Sequence, residues 1–236
     1  MRKLVRIAFN PDLRGPMAAL MFGSVISIGL VVVQLLFTGH RGHAFLVWNL
    51  FLAWFPLLFA LLANDEYRSG SARRWVLFSL GAAWLLFFPN APYICTDIVH
   101  LKFWFNHHFW IELALILLFA LTGLLVGFVS LYVMQSIVRD AFGRWAGWLF
   151  VLCAAGLSSV GVYVGRFLRF NSWDVIVRPG HFARGVEAWP NSNLANKGSL
   201  TFLILFAAFL FVGYVMLYGL THLSPVSSLS RPDQRT

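Results

Sequence analysis

Six runs of apolar residues, near 17–37, 44–63, 75–95, 109–134, 145–168 and 200–221, set the terms on which this chain can fold. A helix needs about 20 residues to cross the hydrocarbon core of a bilayer, and every run supplies that length. Inside the bilayer the backbone must satisfy its own N–H and C=O groups, so long apolar runs joined by short connectors fold as helices. Charged residues make up only 11% of the 236, against about 25% in a soluble domain. The reading is all-α: an integral membrane bundle of six transmembrane helices, one domain over residues 1–222. A short disordered cytoplasmic tail, 223–236, follows it. The first run is too long for a signal-peptide core and no small-residue cleavage site follows it, so it is expected to stay as a helix. The longest connector, about 170–199, is too short to fold alone.

The net charge of +9 raises nucleic acid as a partner, and its distribution removes it. Arg2, Lys3, Arg6 and Arg14 precede the first span. Arg68, Arg73 and Arg74 lie between spans two and three, Arg139 and Arg144 between four and five, and Arg231 and Arg235 in the tail. The two short alternate loops hold only Arg41 and Lys102. Positive charge gathers on the cytoplasmic side of membrane proteins, so both termini are expected there, with membrane lipids as the surroundings. Arg166, Arg169, Arg178, Arg184 and Lys197 fall on the opposite side, in or beside a longer segment that constrains orientation less. Cys95 and Cys153 are expected as free thiols, because Cys153 lies about 20 Å deeper at the helical rise.

Spans four and five carry small residues four apart: Gly123 with Gly127, and Gly161 with Gly165 beside Ala154, Ala155, Gly156, Ser158 and Ser159. Such faces let helix backbones approach closely in lipid. Tight internal packing is the first expectation, and a homo-oligomer joined through the same faces is the second. Trp48, Trp54, Trp75, Trp84, Trp104, Trp110, Trp145 and Trp148 fall mostly near span ends, as interfacial belts require. Gln34 and Asn49 are single polar residues in apolar spans and predict interhelical hydrogen bonds. Glu112 opens span four, where an acid suits a helix N-terminus.

Chemistry is concentrated in two clusters. In the first, residues 87–101, Pro89 and Pro92 interrupt the third span. Asn90, Tyr93, Asp97 and His100 then follow at offsets of three, four and three, one face of a helix. Asn90 is expected to cap a short second helix, whose free N–H groups would attract an anion. The second cluster closes span five with Arg166, Arg169, Asn171, Trp173 and Asp174. Counting spans puts both clusters on the same side of the membrane. Three arrangements are open there. Asp97 and Asp174 can pair with the arginines as a structural clasp between spans three and five. Asn90, Tyr93, Arg166, Arg169, Asn171 and Trp173 can instead bind an anionic lipid head group or another small anion, since guanidinium grips phosphate and carboxylate in a fork. Or Asp97, His100 and Asp174 can serve as catalytic acid/base groups or ligands for zinc or iron in a membrane hydrolase or transferase. No Walker loop, Gly-x-Gly-x-x-Gly, Gly-x-Ser-x-Gly or Cys-x-x-Cys is present, and no cofactor is indicated.

The strings Phe-Pro-Asn-Ala-Pro-Tyr-Ile-x-Thr-Asp-Ile-Val-His-Leu at 88–101 and Gly-Arg-Phe-Leu-Arg-Phe-Asn-Ser-Trp-Asp at 165–174 resemble a known family. It is the bacterial multi-pass membrane proteins catalogued as domain of unknown function 1361. The six-span layout agrees over most of 17–221. The resemblance implies a bacterial cytoplasmic (inner) membrane protein and assigns no activity. Cys95 stands where the pattern has an aliphatic residue, which argues against an essential thiol.

Overall fold

The computed structural model describes residues 11–38, 43–70, 73–103, 109–167, 180 and 197–222. The tail over 223–236, Arg169, Asn171, Trp173 and Asp174 lie outside those residues. The elements in chain order are α1 (Pro11–Thr38), α2 (Ala44–Arg68), α3 (Arg74–Phe87), α4 (Asn90–Tyr93), a 3-10 segment (Ile94–Phe103), α5 (Phe109–Phe142), α6 (Arg144–Phe167) and α7 (Lys197–Thr221). Among the described residues there is no strand, and six helical stretches are long and apolar enough to cross a bilayer. The third of these runs through α3, α4 and the start of the 3-10 segment, Arg74–Val99.

The central column is α5, which touches α1, α2, α4, the 3-10 segment, α6 and α7. Its 34 residues measure about 51 Å, well beyond an apolar core of about 30 Å. Hydropathy alone ends this span near 134, where Ser136, Arg139 and Asp140 make the sequence polar. The helix continues because its backbone ladder does not depend on side-chain polarity. It stops where Gly143 turns to φ +91, a left-handed conformation that side chains resist. There the Gly143 N–H donates to the Arg139 carbonyl at 2.8 Å.

The third span is reset at its prolines. α3 stops at Phe87, and the Phe88 N–H still reaches the Trp84 carbonyl at 2.8 Å. Pro89 has no N–H to continue the ladder. The Ala91 N–H bonds Phe88 O at 3.2 Å, and the Tyr93 N–H bonds Pro89 O at 3.0 Å. Phe88 and Pro89 both keep right-handed helical dihedrals. Asn90, expected as the cap, is instead the first helical residue; Pro89 takes the cap position, with no side-chain cap bond. Ala91 and Tyr93 spend their N–H groups on chain carbonyls and Pro92 has none, so these three residues offer an anion no free backbone N–H.

The small faces of α5 and α6 receive this reset. A Cβ placed on Gly161 would stand 2.5 Å from Pro89 Cγ and 2.8 Å from its Cβ. One on Gly127 would stand 2.8 Å from Ala91 Cβ, and one on Gly123 2.7 Å from Ile94 Cδ1 and 3.1 Å from the Ala91 carbonyl oxygen. Those three glycines are therefore occupied within the chain. Below the prolines the core is built on Trp84, Phe88, Val126, Leu131, Val151 and Tyr214; beyond them, on Leu46, Leu50, Ala91, Ile94 and Phe119.

Trp75, Trp110 and Trp145 are exposed at span ends, as belts require. Trp84 is not a belt residue: it is 1% exposed, stacks on Phe88 at 4.7 Å and donates its indole N–H to Ser130 Oγ at 3.2 Å. Trp54 likewise turns inward and donates to Ser24 Oγ at 3.2 Å. An indole placed mid-span needs such a partner, whereas one at the interface finds water.

Candidate functional site

Three segments meet at the end of the bundle where α6 finishes. α6 runs from Arg144 and places Arg166 in its last turn, where a cation complements the helix dipole. α2 starts at this end, so Asn49 stands in its second turn. The 3-10 segment brings Asp97 between them. Residues three apart eclipse on a 3-10 helix, and Ile94 and Asp97 form a buried row while Ile98 and Val99 are exposed.

Asp97 is 1% exposed, and both of its oxygens have donors. Arg166 Nη1 donates to Oδ1 at 3.0 Å, and Asn49 Nδ2 donates to Oδ2 at 3.0 Å. The Arg166 guanidinium also lies over the Tyr93 ring, 5.8 Å from its centroid, within cation–π range. A carboxylate at this depth is tolerable only when paired and hydrogen-bonded, and here it is both.

Of the residues singled out in the sequence, the structure thus joins Asp97, Arg166 and Tyr93. Asn90 is half-buried at the start of α4, and the His100 backbone belongs to the 3-10 segment. Among the described residues no three His, Cys, Asp or Glu side chains converge as metal ligands. Cys95 and Cys153 are free thiols. Asn49 was legible as a polar residue that needs a helix partner, but its partner lies 48 positions away and has no local signature.

A second polar group stands at the same end. Glu112, in the first turn of α5, accepts from Gln34 Nε2 of α1 at one oxygen and meets His43 Nε2 at the other. Its acid character suits the helix N-terminus, as expected. Its links to α1 and to the residue preceding α2 are what the sequence alone did not supply.

No curated protein and no solved structure matches the chain. A family model described as Protein of unknown function (DUF1361) matches residues 48–216, a stretch that holds Asn49, Tyr93, Asp97, Glu112 and Arg166 and leaves Gln34 and His43 outside. With well over half of its length matched, this multi-span helical protein belongs to the DUF1361 family.

Proposed function

We propose that the Asn49–Asp97–Arg166 group is an ion-pair clasp that locks the interrupted third span between α2 and α6, and that the protein's primary role is as a structural multi-pass membrane protein. The observation that carries this is Arg166 Nη1 at 3.0 Å from Asp97 Oδ1, with the carboxylate buried. In a double-mutant cycle of detergent stability, Asp97→Ala with Arg166→Ala should cost less than the two singles added. A coupling of about 0.5–3 kcal/mol is expected for side chains in direct contact. Strict additivity would remove the clasp.

A second reading rests on the same pair. Asp97 engages Nη1 alone, and a guanidinium carries five N–H donors. Arg166 and Tyr93, with Asn90, Arg169, Asn171 and Trp173, would then hold the phosphate of an anionic lipid or another small anion. Arg166→Lys keeps the charge and loses the fork, so retained anionic lipid in mild detergent should fall while stability holds. Equal lipid retention in wild type and Arg166→Lys sinks this reading. The metal-dependent reading on Asp97, His100 and Asp174 has least support, since both Asp97 oxygens are already engaged. About one equivalent of zinc or iron, lost in His100→Ala, would restore it.

The charge distribution supports a bacterial cytoplasmic-membrane location with the clasp on the extracytoplasmic face and both termini inside. A reporter inserted within 64–74 or fused after Arg235 should then read cytoplasm, and one within 180–195 should read outside. A periplasmic signal from the C-terminal fusion would overturn the orientation if the 64–74 reporter also reads outside, and the even number of spans if that reporter still reads cytoplasm.

A further inference from the structure

Ser158 is the exception among the buried serines. Ser24, Ser27 and Ser130 each donate to a carbonyl of their own helix at 2.7–2.9 Å, and Ser159 reaches the Leu203 carbonyl of α7 at 2.7 Å. Ser158 is 0% exposed, and its Oγ meets no hydrogen-bond partner among the described residues. A hydroxyl left unmet inside an apolar bundle is costly. It stands well within its span, nine residues before the end of α6 at Phe167.

Its surroundings follow from the helix register. Ala154, Ser158 and Gly161 follow at offsets of four and three, one face of α6. Gly161 on that face packs on the Pro89 ring. Further down the same seam Phe150 packs on Trp84, with ring centroids 5.4 Å apart. Ser158 therefore faces the third span about one turn below the Pro89–Gly161 contact.

The third span offers an acceptor at that level. The Phe88 N–H bonds the Trp84 carbonyl at 2.8 Å, and the next rung would run from residue 89 to the Leu85 carbonyl. Pro89 has no N–H, so the helix ladder supplies Leu85 O with no donor. Leu85 precedes Pro89 by four residues as Ser158 precedes Gly161 by three, and the third and fifth spans run in the same direction. Acceptor and hydroxyl thus both lie about one turn below the same contact. α6 packs closely on α4 but not on α3, so the two backbones part below the proline. Ordered water is one of the means by which a membrane helix re-satisfies the groups that a proline frees, and two polar groups held apart beyond direct reach suit it. A buried water needs two to four polar partners, and here two are supplied. We propose that one buried water molecule bridges Ser158 Oγ and Leu85 O, replacing the hydrogen bond that Pro89 removes.

The sign of one substitution separates this arrangement from the alternatives. Removing a dry, unmet hydroxyl stabilises a protein, and removing one that bonds back to the Ala154 carbonyl is neutral or slightly favourable. Removing a water's partner is a loss. The test is thermal unfolding, in one detergent, of the full chain as wild type, Ser158→Ala, Pro89→Ala and the double variant. Ser158→Ala should lower the unfolding midpoint in the wild-type background. It should lower it less, or not at all, in Pro89→Ala, where residue 89 carries an N–H for Leu85 O. An unchanged or raised midpoint in the wild-type background overturns the proposal, and so does an equal or larger loss in Pro89→Ala. Should Pro89→Ala not fold, a wild-type crystal structure grown from a lipid mesophase, at a resolution that shows ordered water, decides. Density within hydrogen-bond distance of both Ser158 Oγ and Leu85 O supports the bridge. A dry site, or a hydroxyl bonded to Ala154 O with no water beside it, overturns it.

Discussion

Gly161→Ala should be the most damaging one-methyl change in the bundle, with a loss of about 2–3 kcal/mol, the upper range for overpacking a tight interior. The new methyl would fall 2.5 Å from Pro89 Cγ. A proline ring is tied to its own backbone and cannot swing aside. Relief would require moving the reset third span, and with it Asp97. Gly127→Ala meets the Ala91 methyl at 2.8 Å and should follow closely. Gly123→Ala should be milder on its Ile94 side, where the nearest atom is the end of a flexible side chain, although the Ala91 carbonyl at 3.1 Å is not. Gly156 supplies the control: nothing lies within 4 Å of where its Cβ would sit, so alanine there should be neutral or slightly favourable. Thermal unfolding in one detergent would rank the four variants. Equal stability of Gly161→Ala and Gly156→Ala would contradict the packing described.

The second large effect concerns the clasp and comes with a rescue. Asp97→Ala leaves Arg166 without its counter-charge, and breaking a buried pair typically costs about 3–5 kcal/mol. The Arg166 side chain keeps 15% exposure, so the lower end of that range is expected. Replacing both charges by apolar residues, Asp97→Leu with Arg166→Met, removes the penalty for a lone charge. It still strands the Asn49 amide, a half-buried donor, at a cost of about 1 kcal/mol, the low end for an unmet group. Adding Asn49→Leu should recover stability to near the wild type. If the triple variant stays as unstable as Asp97→Ala, the ion pair is not what holds these segments. If the triple variant is stable but loses co-purified anionic lipid, the site binds a ligand as well as fastening helices.

The spans were legible because hydrocarbon imposes a length and a polarity that any linear reading detects. Their ends were less so: α5 runs past Met134 to Phe142 through charged residues that hydropathy treats as a stop. The interruption at Pro89 was legible from the missing N–H, but its local form was not. Asn90 is an acceptable cap by type, yet the chain keeps right-handed dihedrals through Phe88 and Pro89 because Gly161, Gly127 and Gly123 leave room for a continuous path. That room is a tertiary fact. Asp97 and Arg166 could be proposed as partners only after counting spans placed them on one side. His43 gave no such hint, since a lone histidine before an apolar run has many bland explanations. Its role depends on Glu112, 69 positions later.

The attachment of α1 has a consequence for how the protein is made. Its polar stripe, Ser24, Ser27 and Gln34, finds partners at very different distances along the chain. Ser24 meets Trp54, 30 residues on, within the next span to emerge. Gln34 meets Glu112, 78 residues on, and Ser27 meets Thr122, 95 residues on. At about 5–20 residues per second, the Gln34 amide spends about 4–16 s after its own synthesis before its carboxylate exists. Of these three contacts only Ser24–Trp54 lies wholly within the first two spans and can form during that wait; the other two require α5. Trp54→Phe should therefore slow the assembly of nascent chains more than it weakens the finished protein.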